Sequence, residues 1–130
     1  MIALVDTAAG AFAVELETGE LEPWDGPVTA EPMPALNLPR LVAAAAAGST
    51  VIAVVDVKPP LVVSHDAGMT WRESGRGLPP GRAVAVAAHD PDLLVFAARN
   101  RLYVSRNGGL FWAAVPGELP ELLSLELRED

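Results

Sequence analysis

Apolar and polar side chains alternate in Phe12-Ala13-Val14-Glu15-Leu16 and again in Leu123-Ser124-Leu125-Glu126-Leu127. A period of two puts alternate side chains on one buried face of a β-strand. Elsewhere short apolar runs are broken by Gly, Pro, Asp or Asn, the residues that turns between strands demand. The pattern predicts four kinds of strand. First strands are expected at 41–47, 83–88 and 122–127, and second strands at 2–6, 51–57 and 93–98. Third strands are expected at 11–16, 61–64 and 102–105, and fourth strands at 21–24, 69–73 and 110–115. The run Ala43 to Ala47 sits awkwardly in this scheme, because alanine is the best helix former. Its counterpart Ala83-Val84-Ala85-Val86-Ala87 reads as a strand, and about seven residues make a poor isolated helix. An inner strand whose crowding demands small side chains is expected there, with a short helix as the alternative.

The strands recur with a fixed spacing. Residues 41–79 laid over 82–120, an offset of 41 without gaps, share 11 identities in 39 positions. The matches of Gly68 with Gly109, Trp71 with Trp112 and Leu78-Pro79 with Leu119-Pro120 carry more weight than Ala on Ala. A third, cut copy starts the chain, where Ile2-Ala3-Leu4-Val5-Asp6 parallels Ile52-Ala53-Val54-Val55-Asp56 and Leu38-Pro39 anticipates the later Leu-Pro pairs. A period near 41 built from four strands is the signature of β-propeller blades. The expected fold is all-β, a single propeller domain over residues 1–130. Its antiparallel four-stranded blades span about 1–37, 38–78 and 79–120, with a closing strand at 121–130.

The second copy contains Ser64-His65-Asp66-Ala67-Gly68-Met69-Thr70-Trp71. A carboxylate at Asp66 can accept backbone N–H groups in a tight turn, and Gly68 supplies a positive φ. Ser64 and Thr70 can hydrogen-bond across the hairpin while Trp71 covers it. The third copy keeps Ser105, Gly109 and Trp112, with Asn107 in place of the Asp and Phe111 in place of the Thr. The segment resembles the Asp-box, or bacterial neuraminidase repeat, of pattern S-x-D-x-G-x-T-W, and the resemblance covers residues 41–120. The first copy departs from it, because Val14 to Leu21 has no box Asp and looks closer to quinoprotein-type or WD-like hairpins.

In the Asp-box family the motif is a structural hairpin on the face away from the catalytic pocket. The resemblance therefore implies architectural roles for these box residues. A metal site at Asp66 with His65 is disfavoured, since neighbours along a strand point to opposite faces. The family includes sialidases, sortilin-type receptors and bacterial assembly factors, so a glycan-binding or sialidase-type glycoside-hydrolysing propeller is the alternative function. Sialidase chemistry needs an arginine triad, an Asp acid and a Tyr–Glu pair. Here the F/Y-R-I-P motif is absent and Tyr103 has no Glu in its hairpin. No carboxylate pair stands out for glycoside hydrolysis, and there is no phosphate loop, zinc-binding His spacing or nucleophile elbow. His65 and His89 read as solvated turn histidines. The expected function is a non-catalytic binding or assembly scaffold with no catalytic residue, metal or cofactor.

Three blades do not close a propeller, which takes four to eight. The chain begins at the second strand of one blade and ends on the first strand of another. Two chains joined head to tail, each C-terminal strand completing the partner's first blade, would make a six-bladed homodimer.

Composition and charge add to this picture. The chain has 130 residues, 51% hydrophobic, with 12 Pro, 11 Gly and no Cys, so disulfides and thiol chemistry are excluded. No apolar stretch approaches the ~18 residues of a membrane helix. The opening Met1 to Asp6 lacks the cationic segment of a secretory signal, so a cytoplasmic location is expected. The net charge of −8 argues against nucleic acid as partner. It divides into −7 over residues 1–57, +3 over 58–115 and −4 over 116–130, which suggests that acidic ends meet a basic middle. The loops at one end of the blades carry Arg40, Lys58, Arg76, Arg82, Arg99 and Arg101, a candidate site for a protein or an anionic small molecule. The Pro-rich loop Asp25 to Arg40 is the longest connection. The lack of Gln and the excess of Arg over Lys, 8 to 1, hint at a thermophilic source.

Overall fold

The structure is a computed structural model that describes residues 1–30 and 32–128. Its strands, in chain order, are β1 (Ile2–Thr7), β2 (Gly10–Glu15), β3 (Leu21–Pro23), β4 (Leu41–Ala47), β5 (Thr50–Val55) and β6 (Leu61–Ser64). They continue with β7 (Arg72–Ser74), β8 (Ala83–Ala87), β9 (Asp90–Ala97), β10 (Leu102–Ser105), β11 (Ala113–Ala114) and β12 (Leu122–Arg128). They form three antiparallel four-stranded sheets, ordered β12-β1-β2-β3, β4-β5-β6-β7 and β8-β9-β10-β11, here called the first, second and third. Among the described residues no helix is long and apolar enough to cross a membrane.

The alanine run is a strand, β4, paired along its length with β5 from Leu41↔Val55 to Ala47↔Thr50. Sheet pairing supplies what alanine lacks in intrinsic β preference, so tertiary context overrides propensity. The fourth strands are shorter than the sequence pattern suggests. β7 starts at Arg72 and β11 at Ala113, because residues 69–71 and 110–112 belong to the preceding turns. β5 stops at Val55, where its N–H turns to the Pro60 carbonyl at 2.8 Å.

The first sheet joins the two ends of the chain. β12 pairs antiparallel with β1 of the same chain, from Ile2↔Arg128 to Thr7↔Leu122. The strand that the sequence pattern assigns to a partner's sheet here closes the chain's own.

Two apolar cores hold the sheets together. One lies between the first and third sheets and includes Ala3, Val5, Val14 and Leu122 with Val95 and Leu102. The other lies between the second and third and includes Ile52, Val54 and Leu61 with Val84, Leu94 and Phe96. The third sheet is thus covered on both faces. Val95 points into one core and its neighbours Leu94 and Phe96 into the other, which is why Leu93-Leu94-Val95-Phe96 reads as a continuous apolar run. Gly81 guards this join, since a Cβ there would lie 2.0 Å from the Phe96 ring and 3.0 Å from Val54. Val51, Ala53 and Val55, on the other face of β5, are buried outside both cores. β8 packs against both β4 and β12, so the first strands of the three sheets gather around β8.

Candidate functional site

Two turns related by the offset of 41 build the same scaffold. In the first, the Ser64 hydroxyl donates to Asp66 Oδ1 at 2.7 Å and accepts the Gly68 N–H at 2.8 Å. Asp66 also takes the Thr70 N–H on Oδ1 at 2.9 Å and the Thr70 hydroxyl on Oδ2 at 2.5 Å. In the second turn, the Ser105 hydroxyl donates to Asn107 Oδ1 at 3.0 Å and accepts the Gly109 N–H at 2.9 Å, while Asn107 takes the Phe111 N–H at 3.0 Å. The Thr70 hydroxyl and N–H, with the Ser64 hydroxyl, favour the charged form of Asp66 and hold its pKa down to about 2. Ala67 (φ 60°) and Gly68 (φ 90°) repeat as Gly108 (φ 70°) and Gly109 (φ 92°). Trp71 lies over its own turn, its ring 3.5 Å from where a Cβ on Gly68 would stand. Trp112 instead reaches across a sheet boundary. Its indole N–H donates to Ser74 Oγ at 2.9 Å, and Ser74 in turn donates to the Gly109 carbonyl at 2.6 Å. The Ser64, Asp66, Thr70, Ser105 and Asn107 acceptors and hydroxyls named above are thus engaged within their own turns, and the Trp112 indole N–H at the sheet join.

The strand registers place Arg40, Lys58, Arg76, Arg82, Arg99 and Arg101 at the end of the second and third sheets where β4 and β8 begin. Only Arg82 and Arg99 are brought to one point. Arg99 Nε bonds to Glu121 Oε1 at 3.3 Å, and Arg82 Nη1 stands 3.6 Å from Glu121 Oε2. Arg40, at φ 58°, reaches the Asp56 carbonyl at 3.5 Å. Among the described residues the side chains of Lys58, Arg76 and Arg101 make no hydrogen bond or ion pair. The acidic C-terminal segment therefore meets the basic middle within one chain, through Glu121. The sequence pattern does not single out that carboxylate, because Glu121 reaches Arg82 and Arg99 only where the chain enters β12 and returns to β1.

The first strands frame a cavity of about 490 Å³. β8 and its flanking residues Arg82, Ala88 and His89 run along it, with β4 from Val42 to Ala45 and β12 from Leu123 to Leu127 as its sides, and Met33 at the rim. Crowding is the reason the sequence offers for the alanines of β4. Their small side chains instead leave open space between β4 and β12. Val42, Leu123 and Met33 are 45%, 52% and 53% exposed around it, an unusual grouping of large apolar side chains. The segment 24–40 is tied to β12 by the Thr29 N–H, which donates to Glu126 Oε1 at 2.8 Å, and Arg128 Nε bonds Glu126 Oε2 at 3.0 Å. Burial raises the Glu126 pKa, but these two donors outweigh it and hold the carboxyl below its usual range. Arg128 also stacks on Trp24 at 5.3 Å.

His65 is exposed and its Nδ1 lies 3.3 Å from the Thr50 hydroxyl, while His89 is exposed at the cavity mouth. Among the described residues no three His, Asp or Glu side chains converge as metal ligands. No protein family and no curated protein matches this sequence.

Proposed function

We propose that the chain is half of a six-bladed β-propeller, a non-catalytic binding or assembly scaffold whose ring is completed by a second copy. In the ring, β1–β3 of each chain pair with β12 of the other. The observation that carries this reading is the β12–β1 pairing itself, because a register that joins one chain's two ends is equally available between two copies. The exchange needs a hinge, and residues 24–40, the longest connection between strands, supply it. The cores support the same reading. They join the third sheet to each neighbour, while β4 and β12 face one another across open space. The resemblance of both turns to the Asp-box, with every motif residue engaged in its own hairpin or the adjacent sheet, supports an architectural role. Bound protein or anionic small molecules would then meet the cation-rich end around Arg82 and Arg99.

The absence of native Cys makes the test direct. Asp6 and Ser124 face each other across β1 and β12, within the ~4.5–5.5 Å Cα separation that a disulfide spans. The double variant Asp6→Cys, Ser124→Cys is expected to give a covalent dimer on non-reducing electrophoresis, and light scattering of the parent chain a mass of two 13.6 kDa copies. A crosslinked monomer together with a monomeric parent would overturn the proposal.

A further inference from the structure

From the cavity between β4, β8 and β12 we infer a binding site for an elongated amphiphilic carboxylate, with its acid group at Arg82 and its apolar chain between Val42, Leu123 and Met33. The cavity volume of about 490 Å³ lies in the range of small-molecule sites. From Ala83 to Ala87 the floor strand β8 advances four steps of about 3.3 Å, roughly 13 Å, and the lining continues to Arg82 at one end and His89 at the other, so the space is elongated and suits a chain over a compact ring. Three large apolar side chains, each about half exposed, face this one space. Grouping of that kind marks a surface that something apolar covers.

Charge selects the end and the sign. Arg82 and Arg99 share the single carboxylate of Glu121, which leaves one positive charge in excess at that mouth. The Arg82 contact of 3.6 Å is longer than a hydrogen bond, so its guanidinium keeps its fork of donors for a ligand carboxylate. Glu126, the acid that lines the cavity, is already answered by Arg128 and the Thr29 N–H and adds no uncompensated negative charge. A carboxylate is thus favoured over a cationic head group, and its chain extends toward His89. Exchange would change which copy supplies β1–β3 and could move Met33 and Thr29 with the hinge, but it leaves Arg82, Val42 and Leu123 in place. β4, β8 and β12 come from one chain in either arrangement.

Calorimetric titration of the full chain with dodecanoate, below its micelle threshold, tests the site. One saturable site per chain is expected, with dodecyltrimethylammonium binding at least tenfold more weakly. Arg82→Gln is expected to weaken dodecanoate about tenfold, the loss of one charge-assisted contact, while leaving the far-ultraviolet dichroism unchanged. Val42→Trp, at a side chain already 45% exposed, is expected to fill the space and abolish binding. No saturable binding, equal affinity for the two head groups, or an Arg82→Gln variant that binds as the parent does would each overturn the inference. So would a change of oligomeric state without stoichiometric uptake, which would mark the cavity as a surface covered by a second copy.

Discussion

The Ser64–Trp71 and Ser105–Trp112 turns share a backbone and differ in their centre and in their reach. The first is built on a carboxylate that takes bonds on both oxygens, the second on an amide that takes bonds on one. Asn107 can replace Asp because the scaffold needs an acceptor aimed at the backbone, which a neutral amide oxygen also provides. The third position of support, the Thr70 hydroxyl, is lost where Phe111 stands, 77% exposed. The second turn compensates outside itself. Trp112 lies edge-on to Phe96 with ring centroids 6.2 Å apart, and Phe96 meets Tyr103 at 5.9 Å. Both turns are held from within, and the second is held by the neighbouring sheet as well.

The largest expected effect separates the two tryptophans. Trp112→Ala removes a partly buried indole packed against the core between the second and third sheets and leaves the buried Ser74 hydroxyl without its donor. A loss of about 3 kcal/mol is expected. Trp71→Ala uncovers a turn whose own hydrogen bonds remain, and a loss of about 1 kcal/mol is expected. Urea denaturation of both variants measures the difference, and equal losses would show that reach into the neighbouring sheet is not what distinguishes the turns.

The strand pattern, the repeat and the box residues could be read from the sequence because each is local. Alternation, turn residues and a hydroxyl two positions before an acceptor all act within a few residues. What could not be read was contact between copies of the repeat. Ser74 has no counterpart at the offset of 41, where Val115 stands, so the repeat gave no reason to notice it. The meeting of Arg82 and Arg99 at Glu121 depends on β12 returning to β1, a contact of high sequence separation. The alanine run was legible as a strand, yet whether small side chains fill a crowded space or leave an open one is decided by the distance between β4 and β12.

A smaller effect tests the shared backbone. Ala67 holds a left-handed conformation that its counterpart Gly108 adopts freely. Ala67→Gly is expected to stabilise the chain by about 0.5 kcal/mol, relief of strain exceeding the added freedom of the unfolded chain. Gly108→Ala is expected to cost about 1.5 kcal/mol, because the new Cβ would also press on His65 at 3.2 Å and on Asp92 at 3.3 Å. Thermal or urea unfolding reads both signs, and two effects of the same sign would break the equivalence of the turns.

The finest distinction is in acid. Asp66 titrates at about 2 in the folded chain against an ordinary value of 3.8, whereas Asn107 does not titrate at all. A depressed carboxyl pKa means that the unfolded chain binds the proton first. The stabilisation is fully present above about pH 4 and disappears as the pH falls toward about 2. Asp66→Asn should make the first turn resemble the second. Glu126, shifted in the same direction, titrates in both proteins and cancels in the comparison. The stability gap between parent and variant, from urea midpoints at successive pH values, is therefore expected to be widest above pH 4 and to narrow steadily below it. A gap that stays constant down to pH 2 would mean that Asp66 serves its turn as a neutral acceptor does, and the two turns would then differ only in what their tryptophans touch.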